Sequence, residues 1–199
     1  MYDFIRFVPE EIPELGFKGF VFLLENKKDL EGYCGRLIVA SAVDELRKRL
    51  KKAKETEIVA VYSEVPSVCR EAIMRKKVDL LLDGVGRKLD YATIMLAAEK
   101  DVTIELGLSK FLRTKGLKRL KLFEELRNEI RIINKFEVPF VISSAASNVY
   151  ELRSRKQIEV FFSFFGVDVK KAQNYSERLI RRYYDSNYIM NGFEIERCF

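Results

Sequence analysis

Gly84, Val85 and Gly86 are followed at once by Arg87 and Lys88, directly after the apolar run VDLLLD at 78–83. A glycine-relieved loop presenting a guanidinium and an ammonium at the end of a buried strand suits a phosphate group, because guanidinium meets phosphate oxygens bidentately. Neither the dinucleotide fingerprint nor the P-loop spacing is completed. A second such loop, LSKFLR at 108–113, carries Lys110 and Arg113, with Lys115 just beyond. A third, ISSAASNVYELRSRKQ at 142–157, offers hydroxyls at Ser143, Ser144 and Ser147 and then Arg153, Arg155 and Lys156. Three loops of one character favour RNA or another polyanion over a small acidic ligand. The strongest electrostatic window lies between Glu105 and Glu124, where no acid interrupts Lys110, Arg113, Lys115, Lys118, Arg119 and Lys121. Such a run binds phosphate backbones by counterion release, without reading sequence. It also fits a solvated helix start preceded by a loop.

A different chemistry is open to the acids at strand ends, Asp3, Glu25, Asp44, Asp83 and Glu105. Converging carboxylates hold magnesium, which prefers oxygen ligands. Acids at strand ends also serve as helix caps and loop acceptors, so the signal is weak by itself. The chain has no histidine. That excludes Ser-His-Asp and Cys-His catalysis and His-ligated zinc or iron within it.

The 199 residues carry a formal charge of +6 and are 48% hydrophobic, enough for a sizeable core in one domain spanning 1–199. The charge is uneven, since residues 1–35 hold seven acidic groups against four basic ones. The apolar stretches at 19–24 and 160–165 are too short to span a bilayer. Glu10 and Glu11 stand where a signal peptide would place its apolar region, so a soluble cytoplasmic protein is expected. Cys34, Cys69 and Cys198 have no metal or disulfide spacing and read as buried thiols.

The elements that must position these residues follow from periodicity. Short β-branched or aromatic runs recur at 2–7, 18–24, 36–40, 57–62, 78–82, 102–106 and 138–143, most of them apolar on both faces, as buried parallel strands are. Helical patterns lie between them. Residues 43–54 align Val43, Leu46 and Leu50, and residues 90–100 align Tyr91, Ile94, Met95 and Ala98. The longest, 117–136, spaces Leu120, Phe123, Leu126, Ile130 and Ile133 as a core stripe and ends before Pro139. Strand and helix alternate every 20–30 residues, so eight units would use the chain. The expected fold is α/β: a compact TIM-barrel-like (β/α) barrel of mostly parallel strands, with extra C-terminal helices. An open doubly wound sheet is the runner-up. After residue 166 the pattern reads as two polar helices, with a possible Ser176 cap and a short terminal strand in FEIERCF.

From Glu105 to Gly166 the segments ELGLSKFLRTKG and KFEVPFVISSAASNVYELRSRKQIEVFFSFFG resemble the archaeal and eukaryotic ribonuclease P protein component 3 family. VPFVISSAAS followed by YELRS is similar to that family's "VPLVISSGA…DLRS" segment. A looser, collinear likeness extends over nearly the whole chain. Glycine is frequent in the family where this chain has Ala145 or Ala146.

The resemblance implies a TIM-barrel-like protein subunit of ribonuclease P, which removes 5′ leaders from precursor tRNA. In that enzyme the RNA holds the active site and requires Mg2+, and no cofactor is expected on this chain. The implied partners are the catalytic RNA, a ferredoxin-like component 2, the other ribonuclease P proteins and, through the holoenzyme, precursor tRNA, with no membrane. Transferred by position, the RNA-facing residues are Arg87, Lys88, Lys110, Arg113, Lys115, Arg153 and Arg155, with no catalytic or metal residue. The family is also distantly similar to metal-dependent polymerase and histidinol phosphatases, whose first strand ends in Asp-x-His-x-His. Asp3, Ile5 and Phe7 stand at those places here, so both imidazoles are missing. The competing expectation is a magnesium phosphoesterase or nuclease using Asp3, Asp83 and Glu105. A third is a protein-interaction scaffold whose basic loops are incidental.

Overall fold

The computed structural model describes residues 1–26, 32–54, 56–190 and 193–194. Seven strands form one sheet in sequential order: β1 (Asp3–Ile5), β2 (Phe20–Leu24), β3 (Tyr33–Val39), β4 (Ile58–Tyr62), β5 (Leu80–Leu81), β6 (Thr103–Gly107) and β7 (Phe140–Ser143). Every neighbouring pair is parallel. A doubly wound sheet would reverse its order at a switch point; this one does not. Its two edges meet instead, as the Arg6 amide donates to the Ala146 carbonyl at 2.8 Å and the Ser144 amide donates to the Asp3 carboxylate at 2.7 Å. The result is a nearly closed barrel of seven strands rather than eight units.

Around it stand α1 (Val43–Leu50), α2 (Pro66–Ile73), α3 (Tyr91–Glu99), α4 (Ser109–Arg113), α5 (Gly116–Phe136), α6 (Arg155–Phe164) and α7 (Val169–Tyr184). Local chemistry sets their ends. Asp90 caps α3 by accepting from the Thr93 amide, Ser154 and Gln157 form a capping box on α6, and Glu137 closes α5 at φ 51° just before Val138 and Pro139. The alternation fails at the start of the chain. Residues 6–19 join β1 to β2 with no helix, and Phe7, Leu15 and Phe17 of that loop pack on Ile5, Phe20 and Phe22 in the place a helix would take.

The barrel interior holds Phe4, Val21, Leu23, Ile58, Ala60, Leu80, Leu82 and Val141, closed by Leu179 and Ile180 of α7. Burying a side chain such as Phe4 contributes about 2–3 kcal/mol. A second core packs α1–α6 and the start of α7 on the outer face of the sheet, with Phe111, Phe123, Phe161 and Phe165 in ring contact. The α5 stripe is corrected at one end. Leu126, Ile130 and Ile133 are buried as expected, but Leu120 is 58% exposed and Leu122 takes its place. The 4,4,3 spacing from Leu122 follows the buried side of α5. On α3, Ile94 and Ala97 are buried, whereas Tyr91 and Met95 face outward.

The tail is also corrected. One helix, α7, replaces the two expected, with Asp168 as its cap. Ser176 is buried within it and donates to the Gln173 carbonyl at 2.8 Å. Strands β8 (Tyr188–Met190) and β9 (Phe193–Glu194) pair antiparallel, and Cys198 lies outside the described residues. Cys34 and Cys69 are buried thiols. Sequence left open whether the tail covers the barrel; α7 does. The Tyr183 hydroxyl donates to Asp79 at 2.8 Å, Arg182 bridges Asp79 at 3.3 Å, and the Tyr184 hydroxyl donates to the Cys34 carbonyl at 2.8 Å. Asp79 is buried, and its other oxygen accepts from the Val59 amide at 2.9 Å. Tyr183→Phe therefore removes a hydrogen bond to a buried charge, with an expected loss of about 1.5–3 kcal/mol. Denaturant unfolding checks this, and an unchanged midpoint would show that α7 does not hold the barrel through Asp79.

Candidate nucleic-acid interface

Parallel strands place all their carboxyl ends at one mouth of the barrel, and the loops after β5, β6 and β7 are neighbours there because those strands are adjacent. All three basic loops share that rim. Their side chains, however, divide into three kinds.

Arg87 and Lys110 point inward. Arg87 is 6% exposed and bridges Glu129 at 2.5 Å and Asp83 at 3.2 Å, while Lys110 is 5% exposed and bridges Asp83 at 2.8 Å. Expected as RNA-facing, these two have their charges met within the fold by Asp83, just after β5, and Glu129 of α5. Arg113 and Arg155 are part-exposed but paired. Arg113 clasps Glu151 through two bonds of 2.6 Å, joining the loop after β6 to the loop after β7, and Arg155 bridges Glu159 at 2.6 Å. The clasp raises the Arg113 pKa further and, despite the opposing cost of burial, holds the Glu151 carboxyl below the usual range. Lys88 and Lys115 are exposed with no ion pair among the described residues, as are Lys118, Lys121 and Lys156. Arg153 donates to the carbonyls of Tyr150 and Leu152 at 2.9 and 2.6 Å, so it shapes its own loop without meeting an acid.

Of the strand-end acids, Asp3, Asp83 and Glu105 converge and are wholly buried, while Glu25 and Asp44 lie apart on the surface. Arg6, which sequence reasoning did not single out, enters this centre by donating to Glu105 at 2.8 Å and to the Asp83 carbonyl at 2.5 Å. Its signal was available, since it is the one cation beside the first strand. Glu129 and Glu151 had no such signal, because they sit on elements remote in sequence from Arg87 and Arg113. Gly107 makes the packing possible, since a Cβ there would lie 2.7 Å from Ala145 and 3.2 Å from Asp83. Ala145 itself adopts φ 51°, a left-handed conformation natural to the glycine frequent in the resembling family.

All six oxygens of Asp3, Asp83 and Glu105 are occupied by protein donors. Asp3 accepts from the Ser144 amide and hydroxyl, both at 2.7 Å. Asp83 accepts from the Gly84 and Gly107 amides at 2.8 Å and meets Arg87 and Lys110. Glu105 accepts from the Ser143 hydroxyl at 2.7 Å and from the Asp83 amide and Arg6, both at 2.8 Å. Burial pushes the Asp83 carboxyl up, but Arg87, Lys110 and the Gly107 amide together hold it below the ordinary range. Asp3 has no cation beside it. Burial pushes its carboxyl up to about 7, with Ser144 opposing and Glu105 adding to the rise. These residues do not fit a metal ion, since Arg6, Arg87, Lys110, two serine hydroxyls and backbone amides already occupy their oxygens. The phosphoesterase expectation is corrected on that ground.

Fold and site together define a TIM-barrel-like α/β protein whose three converging carboxylates are held by protein donors and whose rim loops carry exposed lysines. Residues 9–187 match the RNase P subunit p30 family, and the chain belongs to it. It is 57% identical over 197 residues to ribonuclease P protein component 3 of Archaeoglobus fulgidus, covering 99% of this chain and 96% of that one. The Methanocaldococcus jannaschii component 3 is 29% identical, over 76% of this chain and 75% of its own. A chain in a cryo-EM structure of archaeal ribonuclease P with mature tRNA superposes with a TM-score of 0.82 at 25% identity, covering 99% of this chain and 98% of that one. This protein is thus a subunit of ribonuclease P.

Proposed function

We propose that the protein supports the catalytic RNA of ribonuclease P during 5′-leader removal from precursor tRNA, by placing mobile positive charge between packed RNA helices. The RNA supplies the active site and its magnesium; this chain lowers the repulsion that magnesium must otherwise offset. The observation that carries the reading is the division of charge at the barrel mouth. Asp3, Asp83 and Glu105 are buried and held by protein donors, while Lys88, Lys115, Lys118 and Lys121 stand exposed on the rim with no carboxylate partner among the described residues. Arg153 and, more weakly because of their acid partners, Arg113 and Arg155 extend the same surface. The likeness to a chain of a tRNA-bound archaeal particle supports the assignment of RNA as partner. A ferredoxin-like component 2 and the other protein subunits complete the proposed assembly. No helix among the described residues is long and apolar enough to cross a membrane; the cytoplasm is the proposed place of work.

Reversing Lys115, Lys118 and Lys121 to Glu tests this in a reconstituted particle. The magnesium concentration for half-maximal cleavage should rise several-fold. The salt dependence of RNA binding should flatten by about 2–3 in log–log slope, near 0.7–0.9 per lost phosphate contact. An unchanged magnesium requirement would refute the electrostatic role.

A further inference from the structure

The one acidic stretch of this basic chain adjoins an apolar groove. Between the loop at 7–13 and the turn at 147–152 lies a cleft of about 770 Å3, lined by Phe7, Val8, Pro9, Ile12, Tyr150 and Leu152. Its lips are unusually bare: Ile12 is 61% exposed, Val149 59% and Tyr150 90%. Exposed apolar side chains gathered in one concavity mark an interaction site far better than the same residues scattered singly.

Both walls are fixed to the barrel. Phe7 and Leu152 pack on the cluster of Ile5, Phe20 and Phe22, and the Arg155 amide donates to the Leu15 carbonyl at 2.8 Å. Arg153 holds the Tyr150 and Leu152 carbonyls. The cleft is preformed, which spares an occupant the cost of ordering it.

Charge decides what kind of occupant fits. Glu10 and Glu11 line the cleft and Glu14 follows in the same loop, all three exposed and without a cation partner among the described residues. Three bare carboxylates repel phosphate, so the cleft differs in charge from the lysines elsewhere on the rim. They attract ammonium and guanidinium groups, and complementary charge steers association and fixes register.

We propose that this cleft docks a protein segment, an apolar anchor flanked by Lys or Arg, contributed by another protein component of the same particle. Tyr150 and Ile12 then form the anchor contacts, with Glu10 and Glu11 as a charged rim. The proposal takes from the preceding section only that the chain works inside a ribonucleoprotein.

A photo-reactive benzophenone residue in place of Tyr150, in the full chain assembled with the ribonuclease P RNA and protein components, tests it. The expected product is a cross-link to a Lys- or Arg-bearing peptide of one protein component. That component's affinity should then fall at least tenfold with Ile12→Ser plus Tyr150→Ser. With Glu10→Lys plus Glu11→Lys it should fall at least threefold, the more so at low salt. These side chains are exposed, so circular dichroism should show an intact fold. A cross-link to RNA alone would overturn the proposal in favour of a base stacked on Tyr150. An active particle with no cross-link would overturn it as an open surface. Failure of the parent chain to enter the particle at all would overturn both this proposal and the reading of the preceding section.

Discussion

Arg87→Met should lower the unfolding free energy by about 3–5 kcal/mol, the cost of breaking a buried pair by removing one partner. The side chain is buried between two carboxylates, Asp83 and Glu129. Asp83 would keep Lys110 at 2.8 Å and the Gly107 amide at 2.8 Å, but Glu129 would lose its ion-pair partner. Burial already pushes the Glu129 carboxyl above its usual range with Arg87 present. The double variant Arg87→Met with Glu129→Gln should recover part of the loss, because the stranded charge goes with it. Guanidinium unfolding of the four proteins gives the coupling directly. RNA affinity, compared where all remain folded, should hardly change. A variant that kept its stability and lost RNA binding would return Arg87 to the rim and contradict its internal role.

Asp3 gives the second large effect, and its sign is opposite to that of a salt-bridged carboxylate. Its folded pKa is about 7 against an ordinary 3.8. Between those values the folded chain holds a proton that the unfolded chain has released. Stability therefore falls as pH rises through that window, and the loss is complete above pH 7. At 1.36 kcal/mol per unit, the shift corresponds to a cost of about 4 kcal/mol at pH 8. Asp3→Asn is neutral throughout and can still accept from the Ser144 amide, while its amide nitrogen can donate to the Ser144 oxygen. The variant should match the parent near pH 4 and exceed it by up to about 4 kcal/mol at pH 8. Asp83, whose carboxyl is depressed, adds the reverse slope in acid to both proteins, so the difference between them isolates Asp3. Unfolding midpoints measured across pH 4.5–8.5 decide the point; parallel curves would show that Asp3 ionises as an ordinary carboxylate. The position matters because Asp3 binds β1 to the segment after β7, at the seam where the barrel closes.

Strands were legible because buried parallel strands are apolar on both faces, and each of the seven runs overlaps a strand of the sheet. Helix α5 was legible from its period and from Pro139. The missing imidazoles at Ile5 and Phe7 already spoke against hydrolase chemistry on the first strand. Less legible were features that depend on what lies opposite. Leu120 has the right spacing for the core but lies exposed, and Ser176 resembles a cap but is buried within a continuous helix.

The basic loops show the same limit most plainly. Sequence by itself determined that three strand-end loops carry Arg and Lys, that the first 35 residues run acidic, and that no imidazole is present for catalysis. Only the tertiary structure decided which cations are spent internally. Arg87 meets Glu129, 42 residues away, and Arg113 meets Glu151, 38 residues away. Such pairings leave no local periodicity to read. A Lys or Arg costs several kcal/mol to bury unpaired and little to expose, so its direction follows from whether the fold brings a carboxylate to it.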